Sequence, residues 1–281
     1  MSHRCTQLFY TLIGLFLLCS TSSLQGQVNA NFSVNTNNGC TPLLIQFTDL
    51  STSTATGIAS WQWDFGDNTN TTVQNPAKVY NTAGLFDITL IVTDSLGNAD
   101  TLTKVGEVNV SSSPVAEFEG LPTIGCKPVS VQFNDLSTAG SNPINSWSWS
   151  FGTGASSAAQ NPQFTYVNPN SYTISLTVSD ANGCSDQMVK SSYVKVADIP
   201  TANFTAGTTQ FCTFPATANF ANTSSIPAGV SVTYEWDFGD NNGTSTAQNP
   251  SYAYAMAGTY DVTLIVTDTA VGCADTLTQN D

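Results

Sequence analysis

The sequence predicts an all-β protein made of three tandem β-sandwich domains, and three observations support this prediction. An aromatic motif occurs three times, and its central tryptophans are one small domain apart: Trp63 to Trp149 is 86 residues, and Trp149 to Trp236 is 87. Many short segments alternate apolar and polar residues, as strands with one buried face do. Turn signals separate these segments, and no segment of ordinary helix length follows residue 26. About seven short strands in ~86 residues is typical of an immunoglobulin-like two-sheet sandwich.

Each repeat opens with two short strands and then the aromatic motif. The first strand has a small apolar residue two positions before a phenylalanine, and the second has three apolar residues on one face. In the motif, three aromatics lie two residues apart, so they point to one face of an extended strand, and the glycine after them indicates a turn. The three copies of the motif occupy residues 61–67, 147–152 and 234–240.

The second half of each repeat contains a Gln-Asn-Pro tripeptide, a long strand and a final strand. Proline in the tripeptide indicates a turn or a sheet edge. The long strand, at residues 86–92, 172–178 and 260–266, has apolar residues at every second position, which predicts one face in a core. The final strand closes the first two repeats at residues 105–110 and 193–196. The third repeat reaches Asp281 before this strand is complete, so we expect a fragment of a longer protein, or a strand supplied by another segment.

Short linkers that contain proline mark the domain boundaries. We expect domains at residues 27–112, 113–198 and 199–281, with the third truncated at its C-terminus. Residues 111–114 and 198–200 join them, and proline restricts the chain at each junction. This favours a semi-rigid array over domains that tumble freely.

Residues 1–26 have the pattern of a signal peptide. Arg4 precedes an apolar run from Leu8 to Leu18, and small polar residues follow up to Gly26. The run is too short to span a bilayer, and no later apolar stretch is long enough for a transmembrane helix. Lipidation at Cys19 is the alternative, but Leu18 occupies a position where such signals have a small residue. The expected location is secreted or at the cell surface.

Five cysteines remain after the predicted signal, which fits an oxidising compartment. Cys126 and Cys212 lie 23 and 24 residues before the central tryptophans of their repeats, and Cys184 and Cys273 lie 35 and 37 residues after them. These equivalent offsets predict a disulfide within each of the last two repeats, Cys126–Cys184 and Cys212–Cys273. In the first repeat Asn98 replaces the later cysteine. Cys40 is therefore expected to be the remnant of a lost bridge, with an intermolecular bond as the alternative.

Taken together, the repeats resemble PKD domains, the polycystin-type immunoglobulin-like modules. The resemblance rests on W-x-W-D-F-G-D in the first repeat, Y-x-W-D-F-G-D in the third, the Asn-Pro turn after them and the apolar strand that ends in Val-Thr-Asp. The second repeat departs from the signature, because it has Ser150 and Thr153 in place of aspartate. The resemblance implies extracellular modules that act as spacers, adhesion units or binding accessories in large secreted or surface bacterial proteins.

The charge and the histidine count exclude several functions. Acidic residues outnumber basic ones 20 to 6, and no cluster of lysine and arginine is present to neutralise nucleic acid phosphates. His3 is the only histidine and lies in the predicted signal, which excludes Ser-His-Asp and Cys-His hydrolases and histidine-ligated metals. We therefore expect no enzyme, and we assign no catalytic residue, no cofactor and no metal site.

Two features of the motif are candidate binding sites. Acidic and amide side chains place oxygen atoms near the turn, as calcium prefers, at Asp64, Asp67 and Asn68 and at Asp237, Asp240, Asn241 and Asn242. The interpretation that we favour is that these side chains accept hydrogen bonds from backbone amides and hold the turn. The outer tryptophans, Trp61 and Trp147, would stack on sugar rings if they faced solvent, but their position beside the central tryptophans favours burial.

The function that these observations predict is a non-catalytic extracellular array. It would act as a spacer, as an adhesion unit or as a protein- or carbohydrate-binding module of a larger secreted or surface protein. Its expected partners are other domains of a longer chain and an extracellular protein or polysaccharide. The alternative is an accessory region that docks substrate for an exported hydrolase whose catalytic domain lies beyond residue 281.

Overall fold

A computed structural model describes residues 27–54 and 56–280 of the protein. The predicted signal peptide lies outside the described residues. The all-β prediction is confirmed, because every regular element of the described residues is a strand. None of these residues belongs to a helix that is long and apolar enough to cross a membrane.

The strands that the repeats share follow the same order along the chain. The first repeat has β1 (Val28–Asn29), β2 (Phe32–Val34), β3 (Asn38–Cys40), β4 (Leu43–Asp49), β5 (Thr52–Ser53), β6 (Ile58–Asp64), β7 (Asn70–Thr71), β8 (Ala77–Tyr80), β9 (Gly84–Asp94) and β10 (Ala99–Ser111). The second has β11 (Phe118–Leu121), β12 (Ile124–Cys126), β13 (Val129–Asp135), β14 (Ile144–Ser150), β15 (Ser156–Ser157), β16 (Gln163–Tyr166), β17 (Asn170–Asp180) and β18 (Ser185–Ala197). The third has β19 (Phe204–Ala206), β20 (Ala216–Asn222), β21 (Val232–Asp237), β22 (Thr244–Ser245), β23 (Ser251–Tyr254), β24 (Val262–Asp268) and β25 (Ala274–Gln279).

Two sheets form each repeat. The smaller sheets have the orders β2-β4-β8, β11-β13-β16 and β19-β20-β23, and the larger ones β3-β10-β9-β6-β7, β12-β18-β17-β14-β15 and β22-β21-β24-β25. A two-stranded pair, β1-β5, completes the first repeat. In the second repeat one apolar core contains Phe118 and Phe133 of the smaller sheet and Trp149 and Ile174 of the larger sheet. The predicted two-sheet sandwich is therefore confirmed.

The central tryptophan of the motif lies at the middle of each core. Trp149 is 1% exposed, and its ring lies edge-on to Phe118 with 5.2 Å between centroids. The first repeat has the same contact at 5.2 Å, from Trp63 to Phe32, and the third has it at 5.0 Å. Because aromatic side chains bury large areas and pack well edge to face, this pair anchors the two sheets to each other.

The last strand differs between the repeats. β10 and β18 each have 13 residues, whereas β25 has six. The second half of β18 pairs with β17 on one side and, in parallel, with β12 on the other. Among the described residues of the third repeat, no strand corresponds to β12 or to this second half.

The chain divides into two compact units. Of the described residues, one unit contains those up to Asn37 together with those of 44–79 and 85–108. The other contains Asn38–Leu43, Tyr80–Gly84 and the described residues from Asn109 onwards, so the second and third repeats belong to the same unit.

Candidate functional site

The disulfides link consecutive repeats. Cys40 bonds to Cys184 and Cys126 bonds to Cys273, each with 5.5 Å between Cα atoms. The predicted bridges within repeats, Cys126–Cys184 and Cys212–Cys273, are therefore wrong, and so is the interpretation of Cys40 as a remnant or an intermolecular partner. Cys212 is exposed and is the free thiol among the described residues.

Strand length explains why a bridge within one repeat does not form. Cys126 ends β12 and lies beside Ala197 at the end of β18, whereas Cys184 immediately precedes the start of β18. Thirteen residues of extended chain span about 40 Å, so the two cysteines of one repeat lie at opposite ends of the sandwich. The period-2 alternation of residues 185–197 indicates a strand of this length, and therefore a long distance between the two cysteines. The offsets from the tryptophan carry no information about this distance.

Buried aspartates shape the hairpin loops that carry the later cysteine. Asp180 is 4% exposed, and its Oδ1 accepts hydrogen bonds from the amides of Asn182 and Cys184, both at 2.9 Å. In the first repeat Asn98 occupies the position of the cysteine, and its Nδ2 donates to Oδ2 of Asp94 at 3.0 Å. This side-chain hydrogen bond lowers the pKa of Asp94 below its ordinary value. The asparagine therefore stabilises a loop that has no bridge to form.

The earlier cysteine is held by the linker end of its own repeat. Lys127, the residue after Cys126, donates its amide to the carbonyl of Ala197 at 3.0 Å and pairs with the carboxylate of Asp198 at 2.5 Å. In the first repeat the amide of Thr41 donates to the carbonyl of Ser111 at 2.9 Å. Each bridge thus joins the linker end of one repeat to the hairpin loop of the next.

The motif aspartates hold the turn, as the favoured interpretation predicts. Oδ1 of Asp64 accepts from the amide of Gly66 at 2.9 Å, and Oδ1 of Asp237 accepts from Gly239 at 2.8 Å. Oδ1 of Asp240 accepts from the amide of Gly243 at 2.8 Å. Within the part of the chain that the structure describes, no group of three or more His, Cys, Asp or Glu residues is arranged to hold a metal ion.

The second aspartate of the motif varies between the repeats together with a residue on the strand that follows the Gln-Asn-Pro tripeptide. Asp67 pairs with Lys78 at 2.6 Å, and the hydroxyl of Tyr252 donates to Asp240 at 2.6 Å. In the second repeat, which has Thr153 here, the corresponding partner is Phe164, whose ring stacks on that of Phe151 at 4.5 Å. The loss of aspartate from the second repeat is therefore matched by an apolar partner, and the turn is retained.

The outer tryptophans are half-buried, so the expectation of core burial is only partly correct. The indole Nε1 of Trp61 donates to Oδ2 of Asp49 at 2.7 Å, and Trp147 donates to Asp135 at the same distance. In the third repeat, Tyr234 and Asn222 occupy these two positions. Where the indole donor is absent, the carboxylate is absent too.

The carboxylates that accept from these indoles were not singled out from the sequence. Burial alone would raise the pKa of Asp49, but hydrogen bonds from Ser51, Gln74 and Trp61 outweigh it and hold the pKa below its ordinary value. Asp135 has the same environment and a pKa lowered in the same way. Gln74 and Gln160 belong to the Gln-Asn-Pro tripeptide, so this network connects the tripeptide to the motif strand. The sequence does contain a signal for these carboxylates, because aspartate occurs in the repeats whose outer motif residue is tryptophan and asparagine occurs in the repeat where it is tyrosine.

Comparisons with known proteins agree with this architecture. The sequence profile of the PKD domain matches residues 27–110, 111–196 and 197–281. The pre-pro-metalloprotease PrtV of Vibrio cholerae serotype O1 is 55% identical over 47 residues, which are 17% of this chain and 5% of that protein. The chain therefore spans only a small part of the length of this relative.

Two solved structures are similar to single repeats. The PKD1 domain of Vibrio anguillarum Epp is 29% identical with a TM-score of 0.27, and the match covers 30% of this chain and 94% of that one. The PKD1 domain of Vibrio cholerae PrtV is 30% identical with a TM-score of 0.26, and the match covers 29% and 93%. Because the family profile matches the whole sequence from residue 27 onwards, this chain belongs to the PKD domain family, with three tandem copies.

Proposed function

We propose that this chain is a non-catalytic extracellular spacer, in which disulfides connect consecutive PKD domains of a larger secreted or surface protein. We propose domain limits of 27–112, 113–198 and 199–281 for this array. The observation that carries the proposal is the pair of bridges between repeats, Cys40–Cys184 and Cys126–Cys273. Disulfides of this kind persist outside the reducing cytosol, which favours an extracellular location.

The bridges suit a spacer because they limit how far consecutive domains can separate. They span 144 and 147 residues, and closing a loop of this size removes about 5 kcal/mol of chain entropy from the unfolded state in the chain-entropy model. Each bridge also prevents the release of the chain that it encloses when the ends are pulled. The net charge of −14 favours solubility and opposes adsorption to anionic surfaces.

Single-molecule stretching tests the proposal. The array from residue 27 onwards is pulled from its ends, first oxidised and then with a reductant. We expect the oxidised array to lengthen far less, because the two overlapping bridges together withhold about 600 Å of extended chain. The Cys40→Ser/Cys126→Ser double variant should behave like the reduced protein without any reductant. Equal extension of the oxidised and reduced proteins would overturn the proposal.

A second candidate function is supported by one of the comparisons. The 47-residue match is to a protein named as a metalloprotease, so the repeats of this chain are also candidates for a substrate-docking region of an exported hydrolase. Binding of the oxidised array to extracellular polysaccharides and matrix proteins separates the two functions. Saturable retention of one such substrate would favour docking, and no retention would favour the spacer.

A further inference from the structure

The first linker, residues 111–114, is hydrogen-bonded to the repeat that follows it. The amide of Ser112 donates to Oγ of Ser141 at 2.8 Å, and the amide of Ser141 donates to the carbonyl of Ser112 at 3.2 Å. Nδ2 of Asn142 donates to Oγ of the buried Ser111 at 3.4 Å. One loop of the second repeat therefore holds this linker in place.

A glycine makes this contact possible. Gly140 lies so close to the first linker that an added Cβ would be 2.2 Å from the carbonyl oxygen of Ser112 and 2.4 Å from that of Ser113. Because no side chain fits at such distances, any other residue at this position would push the linker away from the loop.

The corresponding loop of the third repeat lacks the groups that make these contacts. An isolated bridge at the start of each repeat aligns the two loops, Val115–Thr138 in the second repeat and Thr201–Ser225 in the third. The counterparts of Gly140, Ser141 and Asn142 are therefore Pro227, Ala228 and Gly229. Pro227 has a ring where glycine leaves space, Ala228 has no hydroxyl, and Gly229 has no side-chain amide.

The second linker, residues 198–200, is bonded to the repeat before it. Oδ1 of Asp198 pairs with Nζ of Lys127 at 2.5 Å, but the two side chains are 34% and 39% exposed, so water and salt weaken this pair. The amide of Ile199 donates to the carboxylate of Asp198 at 2.9 Å. Among the described residues, none of 198–200 is hydrogen-bonded to the third repeat, whose bonding begins at Thr201.

The second disulfide runs beside this linker. Cys126 lies next to Ala197 at the end of β18. At the other end of the linker, the amide of Ala202 donates at 2.8 Å to Oδ2 of Asp275, two residues after Cys273. The second and third repeats are thus joined by two neighbouring covalent connections.

An open cleft lies between the end of the second repeat and a hairpin turn of the third. Its volume is about 580 Å³. Ile124, Pro169 and Lys195 line it on the second repeat, and Ala270 and Val271 line it on the third. Ile124 is 49% exposed although it is apolar. The cleft therefore leaves room for the third repeat to move.

We propose that the second linker is a hinge, about which the third repeat swings relative to the second. Residues 198–200 and the Cys126–Cys273 bridge form the two pivots, and the swing widens and narrows the cleft. The bridge limits the motion, because two connections permit mainly rotation about the line that joins them. Proline at position 200 limits it further, since it fixes its own φ and keeps Ile199 extended. This inference holds whether the array is a spacer or a docking region.

A distance measurement between the two repeats tests the hinge. Spin labels are attached through unnatural amino acids at the exposed positions Gln163 and Ser251, so that the cysteines are left intact. Double electron–electron resonance is then measured on the oxidised chain from residue 27 onwards. We expect a broad distance distribution that narrows in the Pro227→Gly/Ala228→Ser/Gly229→Asn variant, which has the loop residues of the second repeat. Equal widths would overturn the proposal.

Loss of the bridge is the second arm of this measurement. The Cys126→Ser/Cys273→Ser variant should give a broader distribution than the oxidised wild type, because the linker is then the sole covalent connection between the two repeats. An unchanged width would show that the bridge is not a pivot.

Hydrogen exchange tests the linkers themselves without any label. After correction for intrinsic rates, we expect the amide of Asp198 to exchange faster than that of Ser112, its counterpart in the first linker. A Ser141→Ala variant should speed the exchange of Ser112 by about fivefold or more, because the amide loses its acceptor, and leave that of Asp198 unchanged. Equal protection of the two amides in the wild type would contradict the hinge.

Discussion

At the residue scale, the three central tryptophans differ in one hydrogen bond. Nε1 of Trp149 donates to the carbonyl of Ala159, and Nε1 of Trp236 donates to Ala247, both at 2.9 Å. Nε1 of Trp63 is buried without a hydrogen-bond partner among the described residues. A buried donor that lacks a partner costs free energy, because the hydrogen bond to water is lost on folding and not replaced.

Replacement of these tryptophans by phenylalanine should therefore have unequal effects. We expect Trp63→Phe to destabilise the first repeat by about 1–2 kcal/mol less than Trp149→Phe destabilises the second, since only the latter breaks a hydrogen bond. Native-state hydrogen exchange, which gives the free energy of local opening in each repeat, is the measurement. Trp236→Phe is the control and should resemble Trp149→Phe. A larger loss for Trp63→Phe would contradict the assignment.

At the element scale, each motif hairpin is covered by a residue from the strand after the Gln-Asn-Pro turn. Lys78 does this in the first repeat through its ion pair with Asp67, and Phe164 does it in the second repeat by stacking on Phe151. Asp67 and Lys78 are each about one fifth exposed at most, so their pairing is more shielded from water than an ordinary surface ion pair. The ion pair and the aromatic stack are therefore two different ways to pack a side chain against the same hairpin.

Exchange of the two arrangements tests this equivalence. We expect Asp67→Thr alone to destabilise the first repeat, because the Asp67–Lys78 ion pair is lost, and we expect Asp67→Thr/Lys78→Phe to recover about 1 kcal/mol of that loss. Chemical denaturation of the wild type, both single variants and the double variant gives the coupling free energy. Additive effects of the two substitutions would show that the pair does not act as a unit.

The sequence predicts the elements better than the contacts between repeats. The period-2 alternation around Trp149 and Ile174 is enough to place two core strands, because a one-residue shift would turn every side chain to the wrong face. Trp61 lies on the predicted face, yet it is only half-buried, because Asp49 at the rim of the sandwich accepts its indole N–H. Alternation therefore predicts which face of a strand a side chain lies on, but it does not predict how deeply that side chain is buried.

At the scale of the whole molecule, the repeats are joined by covalent bonds that periodicity alone does not reveal. Equivalent offsets identify Cys126 and Cys212 as one position of the repeat and Cys184 and Cys273 as another, but they do not say which repeats the bonded cysteines belong to. The early cysteine of each repeat bonds to the late cysteine of the next, so Asn98 in the first repeat and Cys212 in the third are the unbridged members of the series.

Disulfide mapping checks this pattern directly. We expect a non-reducing digest of the oxidised protein to give peptides that join Cys40 to Cys184 and Cys126 to Cys273. Because Cys212 is exposed and unbonded, it should be the alkylated cysteine among these five before reduction. A Cys184→Ser variant should expose Cys40 to alkylation and leave Cys126 protected. Recovery of a Cys126–Cys184 peptide from the wild type would contradict the structure.

The two bridges enclose overlapping stretches of chain, 40–184 and 126–273, and the overlap affects how the protein withstands proteolysis. A single cut between residues 40 and 126 leaves both fragments joined through Cys40–Cys184. A cut between residues 184 and 273 leaves them joined through Cys126–Cys273, and a cut in the overlap leaves them joined through both. No single cleavage between Cys40 and Cys273 therefore releases one end of the array from the other, and without a reductant a protease must cut once in each of the three intervals 40–126, 126–184 and 184–273 to separate the ends.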